Sequence, residues 1–115
     1  MYKVCEYVDR KGLSQFRKWL ETLDRPVKAR VQARIFRFEM GNLGDFKSVG
    51  KGVYEARFDF GPGHRVYFGM EVNRLILLLA GGDKSTQTRD IEKAQGFWKE
   101  YVEGKIHGKT KSRLE

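Results

Sequence analysis

A chain of 115 residues can build one hydrophobic core and is too short for two. Hydrophobic residues make up 40% and aromatics 13%, which excludes a disordered chain, and the longest apolar run, Leu75–Ala80, is strand-sized rather than membrane-spanning. Lysine and arginine number 23 against 15 acids, a formal charge of +8 that favours polyanions, either nucleic acid or an acidic protein.

Tyr2 to Val8 read as a first strand containing Cys5, the single cysteine, so an internal disulfide and a cysteine-based zinc cluster are excluded. That thiol is expected to be buried and inert. Nothing at the N-terminus resembles an apolar secretion segment, and the cytoplasm is the expected compartment. Ser14 then caps a helix whose Phe16, Trp19, Leu20 and Leu23 repeat at helical spacing. Asp24 and Pro26 open a second helix with Val27, Val31, Ile35 and Phe38 inward, ended by Gly41-Asn42. The polar side of that helix carries Arg25, Lys28, Arg30, Arg34 and Arg37 with no acid between positions 25 and 38. It reads either as a solvated face or as a surface for phosphate or an acidic partner.

A glycine-rich connector, Gly44–Gly52, leads into a hairpin. It lacks P-loop spacing and precedes a strand, which argues against nucleotide binding. With Gly61-Pro62-Gly63 as the loop, Phe60 faces His64, Phe58 faces Val66 and Ala56 faces Phe68 on the core side. The other, exposed side then pairs Asp59 with Arg65 and Arg57 with Tyr67, with Glu55 one step further. Leu75–Ala80, apolar on both faces, belongs in the middle of a covered sheet. After Gly81-Gly82-Asp83-Lys84, Ser85 or Thr86 caps a last helix with Ile91, Ala94, Trp98 and Tyr101 or Val102 inward. The expected fold is α+β: a small twisted, antiparallel-rich sheet with two N-terminal helices and a C-terminal helix on one face. Residues 1–103 form the domain and 104–115 a loose basic tail.

Five segments in order resemble the RelE/ParE toxin superfamily, closest to the phage-derived, HigB-like addiction-module killer proteins. They are Phe16–Leu20, Gly41–Lys47, Gly52–Arg57, Gly61–Tyr67 and Leu78–Gln87. The resemblance implies a type II toxin with a RelE-like fold, neutralised by a cognate helix-turn-helix antitoxin. Many members are ribosome-dependent endoribonucleases that cut mRNA. ParE-like members bind and inhibit DNA gyrase instead. Carried over by position, Arg65 matches the arginine that contacts the scissile phosphate, Arg57 a basic position on the preceding strand, and Lys84 a basic residue beyond the central strand. Glu55 falls where some relatives hold a general base. The tyrosine or histidine of the family's last helix has no counterpart, and Arg89 and Ile91 stand near its position.

Metal-free RNA cleavage needs a base for the 2′-hydroxyl, charge on the phosphorane and a proton for the 5′-oxygen. Arg57 and Arg65 suit the phosphate because guanidinium forks bind two oxygens at once. Glu55 is the candidate base, or else a surface partner of Arg57 or Lys51. Lys84, ahead of His64, is the candidate acid. Tyr67 is placed to stack on a base, and Lys51, Arg30, Arg34 and Arg37 are candidate RNA contacts. The scattered acids and the distant His64 and His107 make no metal site, and no cofactor is expected. The expected partners are the antitoxin, the ribosome and mRNA.

Overall fold

The computed structural model describes residues 1–106 and Ser112–Leu114. In chain order it runs β1 (Lys3–Tyr7), α1 (Gln15–Leu20), α2 (Arg25–Glu39), β2 (Phe46–Gly50), β3 (Val53–Arg57), β4 (Arg65–Glu71) and β5 (Leu75–Gly82). A 3-10 turn, Lys84–Thr86, then leads into α3 (Gln87–Ile106), and Ser112–Leu114 form β6. The class is α+β with a mixed sheet. Strand order is β2-β3-β4-β5-β1-β6, with β1 parallel to β5 and every other pair antiparallel. The expectation of a loose tail also covers residues 107–111 and 115, which lie outside the described residues.

Local chemistry explains the element ends. Ser14 accepts a hydrogen bond from Arg17 N–H, and Asp24 from Val27 N–H, so each caps a helix as its sequence suggests. Pro26 sits in the first turn of α2, where its missing N–H costs nothing. The stretch expected to be a connector contains β2 instead. Its residues are nearly all exposed, so it carries no apolar alternation, and its backbone pairing with β3 makes it a strand. The β2–β3 turn runs through Gly50, Lys51 and Gly52, all at positive φ.

Helices cover both faces of the sheet, not one. On one face Val4, Ala56, Val66, Phe68, Ile76 and Leu78 pack against Phe16, Leu20, Val31 and Phe38 of α1 and α2. On the other, Cys5, Tyr7, Val53, Tyr67, Leu77 and Leu79 pack against Ala94 and Tyr101 of α3. β4 and β5 are apolar on both sides, so a single helical layer would leave half of that surface in water. Tyr101 takes the inward position and Val102 is 36% exposed. Two glycines let the tryptophans approach: a methyl group on Gly69 would lie 2.2 Å from the Trp98 ring, and one on Gly81 2.1 Å from Trp19.

Candidate functional site

The β3–β4 hairpin has a longer loop than Gly61-Pro62-Gly63 alone. β3 ends at Arg57, β4 starts at Arg65, and Phe58 N–H donates to the His64 carbonyl at 3.0 Å. Register therefore moves by two residues from that expected. Arg57 lies opposite Arg65, Glu55 opposite Tyr67, Ala56 opposite Val66 and Tyr54 opposite Phe68. A two-residue shift preserves the faces, so the same side chains share a surface with different neighbours. Asp59 belongs to the loop.

That surface is not open. Beneath α3, Glu55 and Tyr67 are both 0% exposed. Glu55 Oε2 accepts from Tyr67 Oη at 3.1 Å and from Gln87 Nε2 at 2.8 Å, while Oε1 faces Arg65 Nη1 at 3.3 Å. A buried carboxylate needs such donors, and here β4 and α3 supply them. Burial, followed by the charge and hydrogen bond of Glu55, pushes the Tyr67 phenol well above its ordinary pKa. Glu55 is thus a bonded core residue here rather than an exposed base, and the enclosed Tyr67 ring offers no face to a nucleobase.

A β-bulge makes room for this cluster. Between Tyr67 and Phe68 the pairing with β5 slips, from Tyr67–Ala80 to Phe68–Leu78. Beyond the slip, Gly81 turns to Trp19 and Gly82 to α3. A methyl on Gly82 would lie 1.9 Å from Asp90 Oδ2, so the start of α3 rests directly on backbone. Asp90 is itself buried and accepts from the Thr86 hydroxyl. Asp83 caps the preceding turn, with Thr86 answering from the third position.

The arginines reach the rim. The Arg65 side chain is 11% exposed, and its Nε is buried without a hydrogen-bond partner. The Arg57 side chain is 43% exposed and meets Asp45 at 3.5 Å. Together with Phe58, Asp45 and Asp59 they line a pocket of about 210 Å³. Lys84 stands beside it: a methyl on Gly63 would lie 3.4 Å from Lys84 Cβ and 3.7 Å from Arg65 Nη2. Arg57 and Arg65 therefore meet at one pocket, with the base of the Lys84 side chain packed against the hairpin loop beside them.

The remaining candidates do not. Lys51 lies in the β2–β3 turn, at the far end of β3 from Arg57. Arg34 is buried and donates to the carbonyls of Arg57 (2.6 Å), Asp45 (2.7 Å) and Leu43 (3.2 Å), with its guanidinium over Phe58. It staples the β2 entry to the end of β3 and is unavailable to phosphate. Arg30 and Arg37 are exposed on α2, and Arg30 lies 4.5 Å over the Phe60 ring. His64 is buried on the α1/α2 side near Trp19 and Phe60. Among the described residues, no group of three His, Cys, Asp or Glu side chains could hold a metal ion. No helix among them is long and apolar enough to cross a membrane.

Gln87 escaped the sequence reading, although a signal existed. It stands one turn before Ile91 on the inward stripe of α3, and a polar residue in a buried stripe requires a polar partner. Glu55, between buried Val53 and Arg57 on β3, is that partner.

The α+β fold sets two arginines and two aspartates around one pocket, with the buried Glu55 carboxylate behind it. The chain is 48% identical over 81 residues to an uncharacterized protein of Haemophilus influenzae, a match covering 70% of this chain and 82% of that one. It belongs to the same family as that protein. No family model matches it. No solved structure matches it.

Proposed function

We propose that the chain is the toxin of a type II toxin-antitoxin pair, with a RelE-like fold, acting as a ribosome-dependent mRNA endoribonuclease in the cytoplasm. The observation that carries this reading is the pairing of Arg57 with Arg65 across β3 and β4 at one pocket, with Lys84 on the neighbouring turn. The acid contacts of both arginines are long, 3.5 Å to Asp45 and 3.3 Å to Glu55. A phosphate offers shorter, bidentate, charge-assisted bonds and competes well for such forks. In this mechanism Arg57 and Arg65 hold the nonbridging oxygens and stabilise the phosphorane, while Lys84 protonates the leaving 5′-oxygen. Glu55 acts through Arg65, fixing its guanidinium from behind. The base for the 2′-hydroxyl comes from the ribosome–mRNA complex, which also positions the bond. A cognate helix-turn-helix antitoxin holds the toxin in check.

A second reading is favoured by one feature, the complete burial of Glu55 and Tyr67. With Glu55 withdrawn as a base, the rim suits a protein that binds and blocks, as ParE-like toxins do with DNA gyrase.

Purified protein added to a translation reaction separates the two. Under the nuclease reading, mRNA is cut on ribosomes with ends left by 2′-oxygen attack, and Arg57→Ala cuts at least a hundredfold more slowly with an unchanged fold, on the scale of a lost oxyanion donor. Intact mRNA together with failed gyrase supercoiling selects the blocker. Normal growth of cells that express the soluble protein refutes both. Arg57→Ala is preferred to Arg65→Ala because removing Arg65 strips the buried Glu55 of its charge partner.

A further inference from the structure

α2 carries a second apolar stripe that the domain itself does not cover. Phe36 is 61% exposed and Met40 59%, and Ala29 and Ala33 are exposed on the same side of the helix. Spacings of four, three and four residues align these positions, opposite the buried Val31, Arg34 and Phe38. The stripe spans about 16 Å, or three turns. Met1, 74% exposed, continues it: Tyr2 N–H donates to the Glu39 carbonyl, and a methyl on Gly41 would lie 3.8 Å from the Met1 nitrogen.

The edge of the stripe is charged. Arg30 and Arg37, two turns apart and both exposed, run along one side, and exposed Arg25 heads it. With no acid between positions 25 and 38, Glu39 at its last position is the single carboxylate that α2 sets against these charges. Phosphate would satisfy the arginines but leave Phe36 and Met40 in water. A second copy would bury the apolar residues but set arginine against arginine. A surface needing both apolar cover and negative charge is met by a segment that supplies both at helical spacing.

We propose that this face of α2 docks an acidic amphipathic helix of a second protein, with apolar residues seated on Ala29, Ala33, Phe36 and Met40 and carboxylates on Arg30 and Arg37. The alanines form a shallow floor between the bulkier residues, which lets a partner helix approach closely. The inference stands apart from whatever Arg57 and Arg65 do.

The test is selection of peptides from an unbiased displayed library on the purified full chain. Winners should place Asp or Glu beside apolar residues at spacings of three and four. A synthesised winner should bind at least tenfold more weakly to Phe36→Ser/Met40→Ser and to Arg30→Glu/Arg37→Glu, each with the wild-type circular dichroism spectrum. Ala33→Glu, which removes no contact, should weaken binding similarly and serves if the double variants misfold. The proposal is overturned if no such peptide is enriched or if winners bind the variants as they bind the wild type. A dimer that Phe36→Ser/Met40→Ser dissolves would overturn it in favour of self-association. An RNA oligonucleotide whose binding needs Arg30 and Arg37 but not Phe36 would overturn it in favour of phosphate.

Discussion

The two faces of the sheet are built on different principles. Under α1 and α2 the contact is mainly hydrocarbon and aromatic, with Phe68 touching Phe38, Phe46 and Tyr54 at ring separations of 5.2 to 6.1 Å and with Arg34, His64 and the Glu6–Arg17 pair at its margins. Under α3 a carboxylate, a phenol, a guanidinium and an amide are enclosed together. The apolar face gains stability from area and tolerates shape change smoothly. The polar face is all or nothing, because each buried group depends on another. Fold stability rests mainly on the first and the placement of Arg65 on the second.

Mutations can break that contrast. Phe68→Ala should be the most damaging, lowering stability by about 3–5 kcal/mol in urea denaturation, as for a large buried aromatic. Glu55→Ala should cost about 3 kcal/mol, because Tyr67, Gln87 and Arg65 lose their common acceptor and Arg65 its charge partner. A loss below about 1 kcal/mol would show that the cluster is loosely held and the contrast false. Tyr67→Phe is expected to cost about 1–2 kcal/mol at neutral pH.

Tyr67 also predicts a pH effect. Its pKa in the folded state is raised, chiefly by burial, and Tyr7 is raised for the same first reason. The folded state thus keeps protons that the unfolded state releases above about pH 10. Their contribution is complete below that pH and is lost as pH rises further. Denaturation measured between pH 9 and 11 should show falling stability, and a shallower fall in Tyr67→Phe.

The smallest effect belongs to Asp83→Ala, about 1 kcal/mol for a lost cap. Hydrogen bonds from Ser85 hold the Asp83 carboxyl below its ordinary pKa. Its contribution is therefore present above about pH 4 and fades as pH falls below. Thermal melts at pH 7 and pH 3 should differ less in the variant.

The sequence showed what periodicity encodes. The stripes of α1, α2 and α3, both of the first two caps and the two-sided burial of Leu75–Ala80 were legible because each repeats a physical rule several times over. What it hid depends on single pairings. β2 has no apolar alternation, since an exposed edge strand needs none. The register of Arg57 and Arg65 turned on whether Phe58 or Phe60 closes the loop, which composition leaves open. Covering of the second sheet face was implicit in β5, yet the hairpin alone looked half exposed. Arg34 looked like its neighbours Arg30 and Arg37 and differs only in facing inward, beside Val31 and Phe38.

The parallel placement of β1 sets an order of assembly. β2 through β5 join only neighbours in sequence and can zip together as they emerge during synthesis. β1, made first, pairs with β5, so Lys3 waits for Leu75 across more than half the chain. That late closure of a long loop is the slow event expected in folding. Until it happens, Ile76 and Leu78 lack their partners Val4 and Glu6. The interval leaves the most apolar strand of the molecule with an open edge, which is when a nascent chain most needs shelter.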